Sequence, residues 1–264
     1  MAQLPQERAR LEAGALVVMP TYREADNITS SLLAVRSALP EASVLVVDDD
    51  GGDGTADLAQ EAGKAMGNIR VLRRPGKSGL ASAYKQGFFW GIDRGWRVLV
   101  GMDADLSHDA QALPGMLKAL QEGADVAIGS RYVTGGRVIN WPLARRALSR
   151  WGNWYAGHAL HTRVSDLTSA FRAYRAEALG AINFEMLRAD GYGFLIELAY
   201  SLERAGAKVA EVPITFVNRC AGKSKMSPKI AFESFWVVTT LGLSRYTAVA
   251  GGTARPAVAG GPRG

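Results

Sequence analysis

The chain has 264 residues, with 31 lysines and arginines against 25 acidic residues, a net charge of +6. That length suits one large α/β domain with a substantial core, and the basic excess favours anionic partners such as phosphates, nucleic acid or anionic lipid. A single cysteine, Cys220, excludes an internal disulfide and fits a cytosolic setting, and three histidines without a cysteine cluster argue against a zinc site.

In chain order, residues 1–13 are charged, lack the apolar core of a signal peptide and are expected to be flexible. Ala15–Met19 reads as a strand ending at Pro20, 26–39 as a helix, and Ser43–Val47 as a second strand that runs into Asp48-Asp49-Asp50. Helix 55–66, strand 69–72, helix 78–94, strand 98–101, helix 110–121 and strand 125–128 follow. This alternation predicts a mostly parallel sheet covered on both faces. Asp53 or Thr55 is expected to cap the helix that begins at Thr55. Residues 14–228 are read as one α/β domain, 229–248 as an amphipathic helix and 249–264, rich in Gly, Ala and Pro, as a disordered tail. No apolar run approaches the ~20 residues that span a bilayer; Phe235–Leu243, between Glu233 and Arg245, comes nearest.

In open α/β sheets ligands bind beyond the carboxyl ends of the strands. Three strands here end in polar clusters: Pro20-Thr21-Tyr22-Arg23-Glu24, Asp48 to Gly54, and Asp103-Ala104-Asp105. There is no Gly-x-Gly-x-x-Gly turn and no P-loop lysine. A nucleotide must then be held mainly through acidic residues and a metal. Two carboxylates leaving a strand end one residue apart suit a hard divalent cation, Mg²⁺ or Mn²⁺, with phosphate oxygens completing its shell. A solvated turn is the competing reading of Asp-x-Asp alone.

Val18-Met-Pro-Thr-Tyr-Arg-Glu-Ala-Asp-Asn-Ile28, Val46-Val-Asp-Asp-Asp-Gly-Gly-Asp-Gly-Thr55, Gly76-Lys-Ser-Gly-Leu-Ala-Ser-Ala-Tyr84 and Met102-Asp-Ala-Asp-Leu-Ser-His108 occur in that order. Together they resemble the GT-A, family 2 glycosyltransferases. Gly129-Ser-Arg-Tyr132, Val164 to Tyr174, Gly191-Tyr-Gly-Phe194, Val212 to Arg219 and Gly222-Lys-Ser-Lys225 narrow the resemblance to dolichol-phosphate and actinobacterial polyprenol-monophosphate mannosyltransferases. The chain departs from the family pattern at Asp50-Gly51-Gly52, which alters a turn more than a ligand.

The resemblance implies a GT-A (Rossmann-like) α/β fold with C-terminal amphipathic helices. It also implies GDP-mannose as donor, a polyprenyl monophosphate as acceptor and inversion at the anomeric carbon. Pro20, Tyr22 and Glu24 would line the nucleoside pocket, with Val47, Asp48, Asp49 and Lys77 nearby. Asp103 and Ala104 would face the ribose and diphosphate, and Asp105 with Ser107 would hold the metal. Arg131, Arg219 and Lys225 would bind phosphates. Asp166 and Arg172 would shape the sugar and acceptor-phosphate sites, or else form a buried pair that supports a loop. Asp103, Asp105 and Arg131 are the catalytic candidates, and no general base is assigned, because a phosphate monoester is already a nucleophile. The loop 219–229, with four basic residues, could close over the donor.

A polyprenyl acceptor requires membrane contact. On a helix over 141–161, Leu143, Ala147, Leu148, Trp151, Trp154 and Tyr155 share one side, away from Arg145, Arg146 and Arg150. That pattern fits a membrane interface or an ordinary core-packed helix. The segment 229–248, with Phe232, Phe235, Trp236 and Leu241, fits the inner leaflet or an integral membrane partner. The expectation is a peripheral enzyme at the cytoplasmic face. The rival readings are a UDP-glucose-dependent relative and a non-catalytic or nucleic-acid-binding module. The second is disfavoured by acidic strand ends that repel phosphate unless a metal intervenes.

Overall fold

The computed structural model describes residues 11–218 and 234–243. The expectations that fall on Arg219, Cys220, Lys225, the loop 219–229 and the tail 249–264 lie outside these residues. Chain order is β1 (Ala15–Thr21), α1 (Ala25–Ala38), β2 (Ser43–Asp48), α2 (Thr55–Met66), β3 (Ile69–Arg73), α3 (Leu80–Asp93), β4 (Val98–Gly101), a 3₁₀ turn (Ala110–Ala112), α4 (Leu113–Gln121), β5 (Val126–Ser130) and β6 (Arg137–Ile139). Then come α5 (Leu143–Leu160), β7 (Arg172–Arg175), α6 (Ala176–Gly180), α7 (Gly191–Arg204), β8 (Val209–Pro213), β9 (Thr215–Val217) and α8 (234–243). The single helix expected over 110–121 is two elements. Asp109 caps the 3₁₀ turn by accepting from Gln111 N at 2.9 Å, and α4 restarts with Pro114 in its first turn, where a missing N–H costs nothing.

Seven strands form one sheet in the order β3-β2-β1-β4-β7-β5-β8. Neighbours are parallel except for β7, which runs antiparallel to both β4 and β5. The expected mostly parallel, helix-covered sheet is therefore present. β1 pairs with β2 and β4 along its edges and packs into a helix-covered core on each face, which is why Ala-Leu-Val-Val-Met reads as an unbroken apolar run. Successive side chains still alternate: Val17 and Met19 join the core under α1 and α4, while Leu16 and Val18 join the core under α3 and α7.

α3 approaches the sheet closely through Gly87 and Gly91. A Cβ on Gly87 would stand 2.3 Å from Val18 Cγ1, and one on Gly91 2.4 Å from Leu99 Cδ2. Spaced four residues apart, these glycines form one bare ridge of the helix and let it sit low. This positions the start of α3 beside the carboxyl ends of β1, β2 and β4. A short parallel pair, β6 and β9, lies apart from the main sheet, and a bridge between His108 and Phe216 ties it to the loop after β4.

Candidate active site

The polar ends of β1, β2 and β4 open into one cleft of ≈ 290 Å³. Pro20, Tyr22, Glu24, Asp49, Lys77, Asp103, Ala104 and Asp105 line it, so eight expected site residues do converge. Lys77 Nζ lies 4.9 Å from the centroid of the Tyr22 ring, a cation–π contact at the mouth. Asp49 carries a buried ion pair with Arg74 Nε at 3.1 Å and accepts from Ser78 N at 2.9 Å. Its charge is therefore met by the loop before α3, which it draws across the cleft. Asp53 accepts from Thr55 N at 3.2 Å and from Ala25 N at 3.1 Å, and Thr55 Oγ1 accepts from Glu24 N at 2.9 Å. Asp53 and Thr55 thus serve the starts of α1 and α2 together, as N-terminal donors require.

The turn after β4 is built around Asp105. Its Oδ1 accepts from Ser107 N at 3.0 Å, and Leu106 between them takes φ 60, unusual for a branched side chain and a mark of local strain. Asp105 and Ser107 are both buried. Ser107 Oγ has no hydrogen-bond partner among the described residues. A buried orphan hydroxyl beside a carboxylate is an incomplete oxygen site, and hard oxygen donors suit Mg²⁺ or Mn²⁺. Among the described residues no three His, Cys, Asp or Glu side chains gather to cage an ion. Most of such a cation's shell would have to come from ligand phosphates.

Asp103 is held from below. Tyr84 Oη donates to its Oδ1 at 3.1 Å, and burial followed by the nearby Asp103 charge pushes the Tyr84 phenol well above its ordinary range, keeping it protonated. The Asp103 N–H donates to His108 Nδ1 at 3.4 Å. Burial lowers the His108 pKa, so this imidazole, stacked 5.0 Å from Phe171, is neutral with its proton on Nε2.

Four expected residues stand elsewhere. Val47 is fully buried, with its side chain in the core against α3. Asp48 lies beneath the cleft, accepting from Thr21 Oγ1 at 2.6 Å and Asp50 N at 3.1 Å, and burial raises its pKa. Arg172 is fully buried and donates to the carbonyls of Leu167, Ser169 and Leu195 at 2.6, 2.7 and 2.8 Å. It supports the loop and touches no cavity. Asp166 is likewise buried and belongs to Arg131. Its oxygens accept from Arg131 N, Nε and Nη2 at 2.9, 2.7 and 2.6 Å. Burial opposes the Arg131 charge, but Asp166 more than offsets it and raises the Arg131 pKa. Asp166 and Arg172 are thus not paired with each other: one meets Arg131 and the other meets backbone carbonyls.

Arg131 lines a second hollow of ≈ 110 Å³, walled by Trp141, Leu148, Trp151, Tyr155, Phe235 and others. Tyr192 lines both this hollow and the cleft, so the two adjoin. Sequence reasoning missed Tyr192, Arg145 and Asp190. Arg145, read as lying away from the apolar side of α5, lines the cleft, stacked 4.0 Å from the Trp141 ring, with Nη1 donating to Asn218 Oδ1 at 3.1 Å. Asp190 caps α7 and also accepts from Ala81 N at 2.9 Å, joining two helix starts at the cleft wall.

A doubly covered sheet with an acidic cleft at its carboxyl edge has the layout of a GT-A-like fold. Among solved structures, Mycobacterium tuberculosis glucosyl-3-phosphoglycerate synthase, in complex with Mn²⁺, UDP-glucose and phosphoglyceric acid, superposes with a TM-score of 0.62 at 20% identity, over 89% of this chain and 82% of that one. A Pyrobaculum calidifontis mannosyltransferase in complex with GDP-Man and Mn²⁺ gives 0.53 at 15% identity, over 92% and 76%. The family model Glycosyl transferase family 2 matches residues 16–182, and the chain belongs to that family. Its relatives include the undecaprenyl-phosphate mannosyltransferase of Micrococcus luteus, 44% identical over 87% of this chain and 94% of the relative. The polyprenol monophosphomannose synthase of Mycolicibacterium smegmatis is also 44% identical, over 86% of each chain.

Proposed function

We propose that the protein transfers mannose from GDP-mannose to a polyprenyl monophosphate with inversion, using Mg²⁺ or Mn²⁺, and releases GDP and a β-linked lipid mannose donor. The observation that carries this reading is the pairing of two adjoining cavities. One is lined by the carboxylates Asp49, Asp103 and Asp105; the other is largely apolar, with a buried arginine at its wall. The first suits a sugar nucleotide and the second the phosphate end of an isoprenoid. The identity with two polyprenyl-phosphate mannosyltransferases supports the acceptor class, and a GDP-Man-bound mannosyltransferase of like fold supports the donor.

In this reading Tyr22 and Glu24 bind the nucleoside, and Asp103 is oriented toward ribose and diphosphate by Tyr84 and the His108 turn. Asp105 and Ser107 hold the cation, which when bound neutralises charge on the departing diphosphate. Arg145 adds a guanidinium to the diphosphate side, and Arg219 and Lys225 keep the phosphate-binding role their motifs imply. Arg131, fixed in one rotamer by Asp166, directs the acceptor phosphate from the second hollow. A phosphate monoester has its second pKa near 6, so the nucleophile is ionised without a base, and catalysis is alignment plus charge neutralisation. Leu148, Trp151, Trp154, Phe235 and Trp236 are exposed along α5 and α8. They form the surface that docks peripherally on the cytoplasmic leaflet or on an integral membrane partner.

The test is transfer of labelled mannose from GDP-mannose to a short-chain polyprenyl phosphate, with either metal, with EDTA and with Asp105→Ala. Metal-dependent mannolipid that the variant cannot make is the expected result. An α-linked product would refute inversion, and transfer only from UDP-glucose would overturn the donor.

A further inference from the structure

The side of α5 turned away from both cavities bounds a third, wider groove of ≈ 730 Å³, which the catalytic reading does not use. Arg150, Trp154, Gly157 and His158, at helical spacings of four, three and one, form one wall, and the loop that carries Arg163 closes the other. Among the described residues no acidic side chain lines it. Arg150 and Arg163 are exposed and make no ion pair among the described residues. This is unlike Arg131, whose charge is met by a buried carboxylate. Trp154 is 58% exposed at the lip, its ring 4.5 Å from that of His158. The far wall is ordered by Thr162 N donating to the Gly157 carbonyl at 3.1 Å and Val164 N to Thr162 Oγ1 at 3.1 Å.

From this geometry we infer that the groove is a second anion site, which takes the phosphodiester headgroup of an acidic phospholipid, of the phosphatidylglycerol class, in the bilayer that carries the acceptor. The inference rests on the docking part of the proposed function and goes beyond it by making docking depend on lipid charge. Trp154 at the groove's lip follows the exposed Trp151 by three residues, so the groove borders the exposed strip of Leu148, Trp151, Phe235 and Trp236, the side chains that would meet acyl chains. An indole at that border is where tryptophan prefers to sit. The groove is open and its arginines are solvated, so a free phosphate gains little there, whereas a charged surface adds attraction from many headgroups at once.

The experiment is co-sedimentation of the full chain with vesicles of phosphatidylcholine alone, or mixed with phosphatidylglycerol. Wild type should partition more strongly onto the mixed vesicles. Arg150→Gln with Arg163→Gln should lose roughly 30-fold of that partitioning, keep its binding to neutral vesicles and keep its transfer rate on a short, water-soluble acceptor. Arg146→Gln, on α5 but outside the groove, should change partitioning much less. Equal binding of the double variant and wild type to the mixed vesicles would overturn the site. So would wild type that shows no preference for phosphatidylglycerol, or that binds no vesicle, even if transfer to the soluble acceptor is intact. Full displacement by soluble glycerol phosphate at constant ionic strength would identify a free-anion site and overturn the lipid assignment. An unchanged melting temperature for the double variant confirms that it is folded.

Discussion

Replacing Asp166 by alanine exposes how the Arg131 corner is held. Asp166 is fully buried and meets three donors of Arg131, at 2.6, 2.7 and 2.9 Å. The Arg131 side chain is itself only 5% exposed. Removing the carboxylate strands a guanidinium where water cannot replace its partner, a change that costs about 3–5 kcal/mol at such sites. For a chain of this size that corresponds to a melting shift of roughly 6–20 °C. The assay is urea unfolding of wild type, Asp166→Ala, Arg131→Met and the double variant. Asp166→Ala should lower the midpoint with little change in slope, and the double variant should recover much of the loss, because no buried charge remains. A single-variant cost below about 1 kcal/mol would refute the argument, since it would mean the guanidinium finds solvent or another acceptor.

Asp105→Ala should lower transfer by at least about 100-fold, the scale of losing a metal's charge stabilisation, measured as initial rate over a metal titration. Ser107→Ala should weaken metal affinity, yet raise metal-free stability by up to about 1 kcal/mol, because a buried unsatisfied hydroxyl is removed; calorimetry with and without Mn²⁺ separates the two effects. Gly87→Ala should cost about 1–3 kcal/mol through its collision with Val18, visible as a lowered melting temperature without a change in fold by circular dichroism. Burial, followed by the Asp103 charge, raises the Tyr84 pKa above 10.0. Its contribution to stability is therefore full below pH 10 and is lost as pH rises through the folded value. Tyr84→Phe should flatten the alkaline limb of the unfolding curve, and an unaltered limb would disprove the assignment.

The strands that carry the site were legible because they are apolar throughout and end in polar clusters. β1, β2 and β4 sit between covered faces, so their runs contain no polar interruption. β7 was not legible. It consists of Arg-Ala-Tyr-Arg, and nothing local shows that Arg172 is fully buried with three backbone carbonyls around it. The Arg131–Asp166 pair spans 35 residues and forms only once the loop before β7 folds back. Arg145 lies off the apolar stripe of α5, and nothing local shows that this side of the helix borders the cleft. Tyr84 lay within a quoted motif, yet an aromatic residue in an apolar helix reads as core, and its hydroxyl contact with Asp103 depends on tertiary placement. Asp190 offered a signal, an acidic residue just before a helix start, which was not followed.

The reversed strand β7 also orders the assembly of the molecule. β1 to β4 pair among themselves within residues 15–101, and only the outer edge of β4 awaits a later strand, β7. β5 joins the sheet only through β7, which is made more than 40 residues later, and its other neighbour, β8, is later still. On the ribosome β1 to β4 can pair early, while β5 waits with both edges unpaired and the cleft lacks the wall that Arg145, Asp190 and Tyr192 supply. The hollow that holds Arg131 can form only after this delayed pairing, because Asp166 reaches Arg131 from the loop leading into β7. Both cavities are therefore completed by residues made after β5, and they adjoin at Tyr192 once folding is complete.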